Sequence, residues 1–142
     1  MKLFTCGPVQ MYPSTTVIRS KGFIHFRTKE YGEMVKQTLK RLSLLLGNSE
    51  AFSTIYLAAS GTAAMEATVE NCISKKEKAL VINGGGFGKR FCELLEYHEI
   101  PYDSIDLKWN EPLTRKHLNS FENKGYTTLF VNIHETTSGQ LY

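Results

Sequence analysis

From Thr28 onward, apolar residues recur at steps of three and four: Tyr31, Met34, Val35, Leu39, Leu42 and then Leu45 or Leu46. This is the stripe of an amphipathic helix, and Gly47-Asn48 supplies its stop signal. Residues 1–27 sustain no period and are predicted to form an extended arm. The short apolar run at 53–59 has the length of a buried strand, and the small and apolar residues at 63–74 predict a helix after it. The scheme repeats with a strand at 78–83, a turn at Gly84-Gly85-Gly86, and a helix at 87–98 carrying Phe91, Leu94 and Leu95 on one side. A strand at 102–107, a short helix at 114–123 and a strand at 127–133 follow. Alternation of this kind predicts an α/β fold with helices on both faces of a largely parallel sheet. Residues 134–142 add a loop and the start of something apolar with no closing helix, so the chain is expected to be part of a longer polypeptide.

Composition narrows the class. With 142 residues, 42% of them apolar and 22% charged, the chain has a globular makeup. Its formal charge of +3 is spread along the sequence. The densest basic cluster, Lys75, Lys76 and Lys78, is diluted by Glu77, which argues against a nucleic-acid surface. Cys6, Cys72 and Cys92 have neither disulfide nor zinc spacing and are expected to be reduced thiols of a cytoplasmic protein. The first residues lack the apolar core of a secretion signal, and no stretch approaches the ~20 apolar residues of a membrane span.

In open α/β sheets ligands sit beyond the carboxyl ends of the strands, and three unusual segments fall there. Ser60-Gly61-Thr62 precedes a helix whose unpaired N–H groups could receive a phosphate; an ordinary N-cap would use the same residues. The segment 83–90 is glycine-rich but has neither P-loop nor dinucleotide spacing. Within it, Phe87 lies between glycines and could stack on a flat ring or simply start a helix in the core. The third segment, His134-Glu135-Thr136-Thr137-Ser138-Gly139, could orient a polar ligand, yet His134 and Glu135 are too few for a zinc site. His25, His98 and His117 read as isolated surface or core histidines.

Taken in order, Ser60-Gly61-Thr62-Ala63-Ala64-Met65-Glu66-Ala67, then 83–90, then His134-x-Thr136-x-x-Gly139 resemble the class V aminotransferases of pyridoxal phosphate (PLP) fold type I. The alanine–glyoxylate, serine–pyruvate and 2-aminoethylphosphonate–pyruvate enzymes are especially similar, and Gly7-Pro8-Val9 and Arg27 also fit. The resemblance implies the N-terminal half of a three-layer αβα large domain at 28–142, behind the arm at 1–27, with the small C-terminal domain absent. It implies that Ser60, Gly61 and Thr62 hold the cofactor phosphate, that Phe87 stacks on the pyridine ring and that Thr136 bonds its phenolic oxygen. Gly7 and Arg27 become candidates for substrate binding, and Glu66 and Arg90 for a helix-surface or structural ion-pair role. The family's Schiff-base lysine and its pyridine-nitrogen aspartate would lie beyond Tyr142, so these 142 residues are expected to be inactive alone. The parent would be a homodimeric transaminase moving an amino group from an amino acid or aminophosphonate to a 2-oxo acid such as pyruvate or glyoxylate. The alternatives are a PLP-dependent lyase or cysteine desulfurase of the same fold, or a noncatalytic α/β binding module.

Overall fold

The computed structural model describes residues 2–5, 7–47 and 53–142. They pack as two compact units, Met1–Ala58 and Ala59–Tyr142. The expected extended arm at 1–27 is not extended throughout: α1 occupies Pro13–Arg19. Proline at its first position explains the start, because its fixed φ suits a helix and its missing N–H is not needed there. The long helix α2 spans Lys29–Leu45, and the Thr28 hydroxyl caps it by accepting from the Tyr31 N–H at 3.3 Å. Gly47, at φ +100°, follows its end, as the stop signal requires. Tyr31, Val35, Leu39 and Leu42 form a half-buried stripe, while Met34, Leu45 and Leu46 remain exposed. Asn48 and Cys6 lie outside the described residues.

The second unit carries the sheet. Helix α3 is Gly61–Cys72, strand β1 Ala79–Asn83, helix α4 Gly86–Tyr97, strand β2 Tyr102–Asp106, helix α5 Arg115–Asn119 and strand β3 Thr128–Phe130. The strands are parallel in the order β2-β1-β3. Alternate residues of β1 face opposite ways, as a strand requires. Ala79 and Val81 pack with Val69 and Ile73 from the α3 side and with Phe91 and Leu95 of α4. Leu80 and Ile82 pack with Ile105, Leu118 and Phe121 on the other face. Helices therefore cover both faces, as predicted.

Three further expectations need correction. Residues 53–59 form no strand: Ile55 and Leu57 are 80% and 78% exposed, and no described strand pairs with them. An apolar run becomes a strand only where a neighbour takes up its backbone N–H and C=O groups. The helix expected at 114–123 ends at Asn119, and Asn123 at φ 59° with Gly125 at φ 77° turns the chain away. The last strand shortens to Thr128–Phe130 because the chain then bends into a small antiparallel hairpin, β4 at His134–Glu135 and β5 at Gln140–Leu141. The Tyr142 N–H donates to the Ile133 carbonyl at 2.8 Å and holds that hairpin to the strand's continuation.

Candidate functional site

Helices α3 and α4 run the same way, against the strands. Near the C-terminal end of α3, the Cys72 carbonyl accepts from the Thr128 hydroxyl at the start of β3, and Lys75 pairs with Glu99 just past α4. The N-termini of both helices consequently lie at the carboxyl edge of the sheet, where a ligand crevice is expected. The hairpin reaches the same edge through Glu135 and Thr137. All three segments singled out in the sequence thus converge on one edge of the second unit.

The two helix N-termini differ in what their N–H groups meet. In α4 all four leading donors are used. The Gly86 N–H donates to the Thr137 hydroxyl at 2.8 Å, Phe87 and Gly88 donate to the Glu135 carboxylate at 3.2 and 3.0 Å, and Lys89 donates to the Gly85 carbonyl at 2.9 Å. In α3 the Ser60 hydroxyl accepts from Ala63 at 3.2 Å and the Ser60 carbonyl accepts from Ala64 at 3.3 Å. No acceptor among the described residues meets the N–H groups of Gly61 and Thr62. Ser60, Gly61 and Thr62 are exposed, and a Cβ placed on Gly61 would meet nothing within 4 Å. Ser60 is therefore an N-cap, and its hydroxyl proton stays available to a ligand beside two backbone donors that meet no acceptor among the described residues.

Glu135 is the feature that sequence reasoning missed. It is 1% exposed, and its carboxylate also accepts from the Thr137 hydroxyl at 2.7 Å. Burial pushes its carboxyl up, but the Thr137 hydroxyl and the N–H groups of Gly88, Phe87 and Thr137 outweigh that and hold it below the usual carboxylate range. A carboxylate at a helix N-terminus also meets the positive end of the helix dipole. The glycine run makes room for it: a Cβ on Gly85 would lie 2.4 Å from Thr137 Oγ1 and 2.7 Å from Glu135 Cδ, and one on Gly86 would lie 2.8 Å from the Thr137 methyl. Gly84 is occupied from another side, with the Tyr142 phenol seated against it. The only available sequence signal was a carboxylate followed by hydroxyls after a strand.

Phe87 is half-buried on the first turn of α4 and does not join either core cluster. Thr136 is half-buried, and no side-chain hydrogen bond among the described residues engages it, in contrast to Thr137. Gly7 and exposed Arg27 belong to the first unit, where the Arg27 guanidinium lies 5.1 Å from the Phe26 ring centre. Glu66 and Arg90 do enter ion pairs, Glu66 with His98 at 3.2 Å and Arg90 with Glu93 at 2.8 Å. His98 and His117 are thus not isolated: the first bridges α3 and α4, and the second accepts from the Thr114 N–H at the start of α5. His25 Nδ1 likewise accepts from the Arg27 N–H, at 3.2 Å. Among the described residues no helix is long and apolar enough to cross a membrane.

No family model matches the chain. An uncharacterized aminotransferase of Helicobacter pylori is 32% identical over 112 residues, covering 79% of this chain and 29% of its own length. A bifunctional phosphonoacetaldehyde hydrolase/aminoethylphosphonate transaminase of Clostridioides difficile is 30% identical over 148 residues, covering 98% of this chain and 22% of the relative. Among solved structures, a subgroup IV aspartate aminotransferase of Thermus thermophilus superposes with a TM-score of 0.77 at 28% identity, covering 95% of this chain and 37% of that one. The fold is that of part of a fold type I aminotransferase. In sequence the chain is homologous to aminotransferases, aminoethylphosphonate transaminases among them, and spans about three tenths (29%) of the first of these relatives.

Proposed function

We propose that this chain is the N-terminal part of the cofactor-binding large domain of a class V, pyridoxal phosphate-dependent aminotransferase. The observation that carries the reading is the contrast between the two helix ends. The N-terminus of α4 is closed by Glu135 and Thr137, whereas at that of α3 the Gly61 and Thr62 N–H groups meet no acceptor among the described residues. A phosphate would be held there by those two donors and by the hydroxyls of Ser60 and Thr62. Phe87 would lie against the pyridine ring and Thr136 would donate to its phenolic oxygen. When bound, the cofactor supplies an electrophilic carbonyl carbon and an electron sink for an amino group passing from an amino acid or aminophosphonate to pyruvate or glyoxylate. The residues of this chain bind and orient; the covalent partner of the cofactor is proposed to lie outside these 142 residues, which alone would not transaminate.

The proposal is tested by comparing pyridoxal phosphate with pyridoxal, which lacks the phosphate, in the full-length protein. Thr62→Val and Ser60→Ala are each expected to weaken pyridoxal phosphate binding about tenfold, the scale of one hydrogen bond to a charged group, and to leave pyridoxal binding unchanged. Equal losses for both ligands, or no binding of either by the unsubstituted protein, would refute the assignment. Borohydride reduction followed by intact mass then reports whether one cofactor is fixed per chain.

The first unit is proposed to serve dimerisation. It exposes Phe4, Tyr12, Ile18 and Phe23 at 91%, 81%, 65% and 102%. Apolar exposure on this scale marks an interaction surface. Deleting residues 1–27 from the full-length protein is expected to shift sedimentation from dimer toward monomer; an unchanged profile would count against the idea.

A further inference from the structure

The first turn of α4 is not positioned by its own sequence. Its cap, Gly85, has no side chain, and the three consecutive amides of Gly86, Phe87 and Gly88 are held by Thr137 and Glu135, 47 to 51 positions away in the chain. The two acceptors are themselves joined, since Thr137 donates its hydroxyl to Glu135 at 2.7 Å and its N–H at 3.4 Å. Thr136 lies between them, so its backbone is fixed at both neighbours while its own hydroxyl meets no partner among the described residues. The same clamp therefore fixes the backbone that carries Phe87 and the backbone that carries Thr136. Gly85 and Gly86 allow the approach, because a Cβ at either would strike Glu135 or Thr137.

We infer that Glu135 and Thr137 are positioning residues that set the spacing between Phe87 and Thr136, and so the slot for a flat heteroaromatic ring at the sheet's carboxyl edge. The inference rests on the functional reading above and deepens it. Neither side chain needs to touch the ligand: Glu135 is buried and Thr137 spends its hydroxyl on Gly86 and Glu135. Preorganisation of this kind matters because a ring-binding slot that is loose by about an ångström loses much of its affinity.

The test uses the full-length protein and pyridoxal phosphate as the probe. Thr137→Val keeps the shape but removes the acceptor for Gly86 and the donor to Glu135; Thr137→Ser keeps both. Thr137→Val is expected to weaken binding about tenfold and to reduce the circular dichroism of the bound cofactor's absorption band, while Thr137→Ser restores both. In a Phe87→Leu background, Thr137→Val should cost clearly less than tenfold, because the part of its effect that acts through Phe87 is already lost and only the part through Thr136 remains. A lowered melting temperature with an unchanged dichroic band in the folded protein would mark a purely structural role and overturn the inference. So would a full additional tenfold loss in the Phe87→Leu background. Failure of the unsubstituted protein to bind pyridoxal phosphate would overturn the functional reading together with this one, whereas binding with an indistinguishable Thr137→Val would overturn this one alone.

Discussion

Gly88→Ala is expected to lower the unfolding free energy of the second unit by about 3 kcal/mol, the upper part of the range for forcing extra volume into a packed core. A Cβ at Gly88 would lie 2.6 Å from the Ile82 carbonyl oxygen and 2.7 Å from the Asn83 Cα. Both are backbone atoms of β1, so no side chain can rotate aside, and α4 must lift off the central strand of the sheet. That shift would also pull the Gly88 N–H from Glu135. Two other helix-start glycines, Gly86 of α4 and Gly61 of α3, serve as internal comparisons. Gly86→Ala meets the Thr137 methyl at 2.8 Å, a side-chain atom that can move, and should cost less. Gly61→Ala meets nothing within 4 Å and is helical, so it should be neutral or stabilising by about 0.5 kcal/mol through the unfolded state. Urea denaturation of the three variants checks the order; a Gly88→Ala midpoint equal to that of Gly61→Ala would refute the packing argument.

What was legible in the sequence was what local spacing determines. Helix α2 was readable because its stripe, its Thr28 cap and its Gly47 stop all lie within about five turns of one another. The β1–α4–β2 run emerges with its boundaries within one residue of expectation, since β1 has core on both faces and α4 has one apolar side. Residues 53–59 were misread for the opposite reason: hydrophobicity alone cannot show whether a pairing partner exists. Half of the site was equally hidden. Ser60-Gly61-Thr62 could be weighed as a cap or an anion site from the sequence, but that the Gly61 and Thr62 donors meet no acceptor among the described residues became visible only against the filled ones of α4. The glycines at 84–86 have the composition of a ligand loop, yet all three make room for side chains of residues 134–142: Tyr142 at Gly84, Glu135 and Thr137 at Gly85, and Thr137 at Gly86. Glu135 could not be matched with Phe87 and Gly88 because the contact spans 47 and 48 positions, and no periodicity encodes it.

That contact makes the second unit acid-sensitive in a defined direction. The native Glu135 carboxyl titrates below its ordinary value, since the Thr137 hydroxyl and three backbone N–H groups favour the anion more than burial disfavours it. A group whose native pKa is depressed binds its proton more readily in the unfolded chain, so unfolding takes up a proton in the interval between the two values. The stability it contributes is complete above the ordinary glutamate value of about 4.3, declines as the pH falls below that, and is gone beneath the depressed native value. Glu135→Gln should therefore flatten the stability curve in that interval relative to the unsubstituted protein, and the two curves should converge at the acid end. At neutral pH, Glu135→Ala is expected to cost about 3 kcal/mol, because it leaves the N–H groups of Phe87, Gly88 and Thr137 without their acceptor in a buried site and opens a cavity beside Gly85. Chemical denaturation across that pH range decides the matter: if Glu135→Gln follows the unsubstituted protein with a parallel acid slope, the carboxylate is not the anion that closes α4, and the clamp it forms with Thr137 is not what orders the helix start.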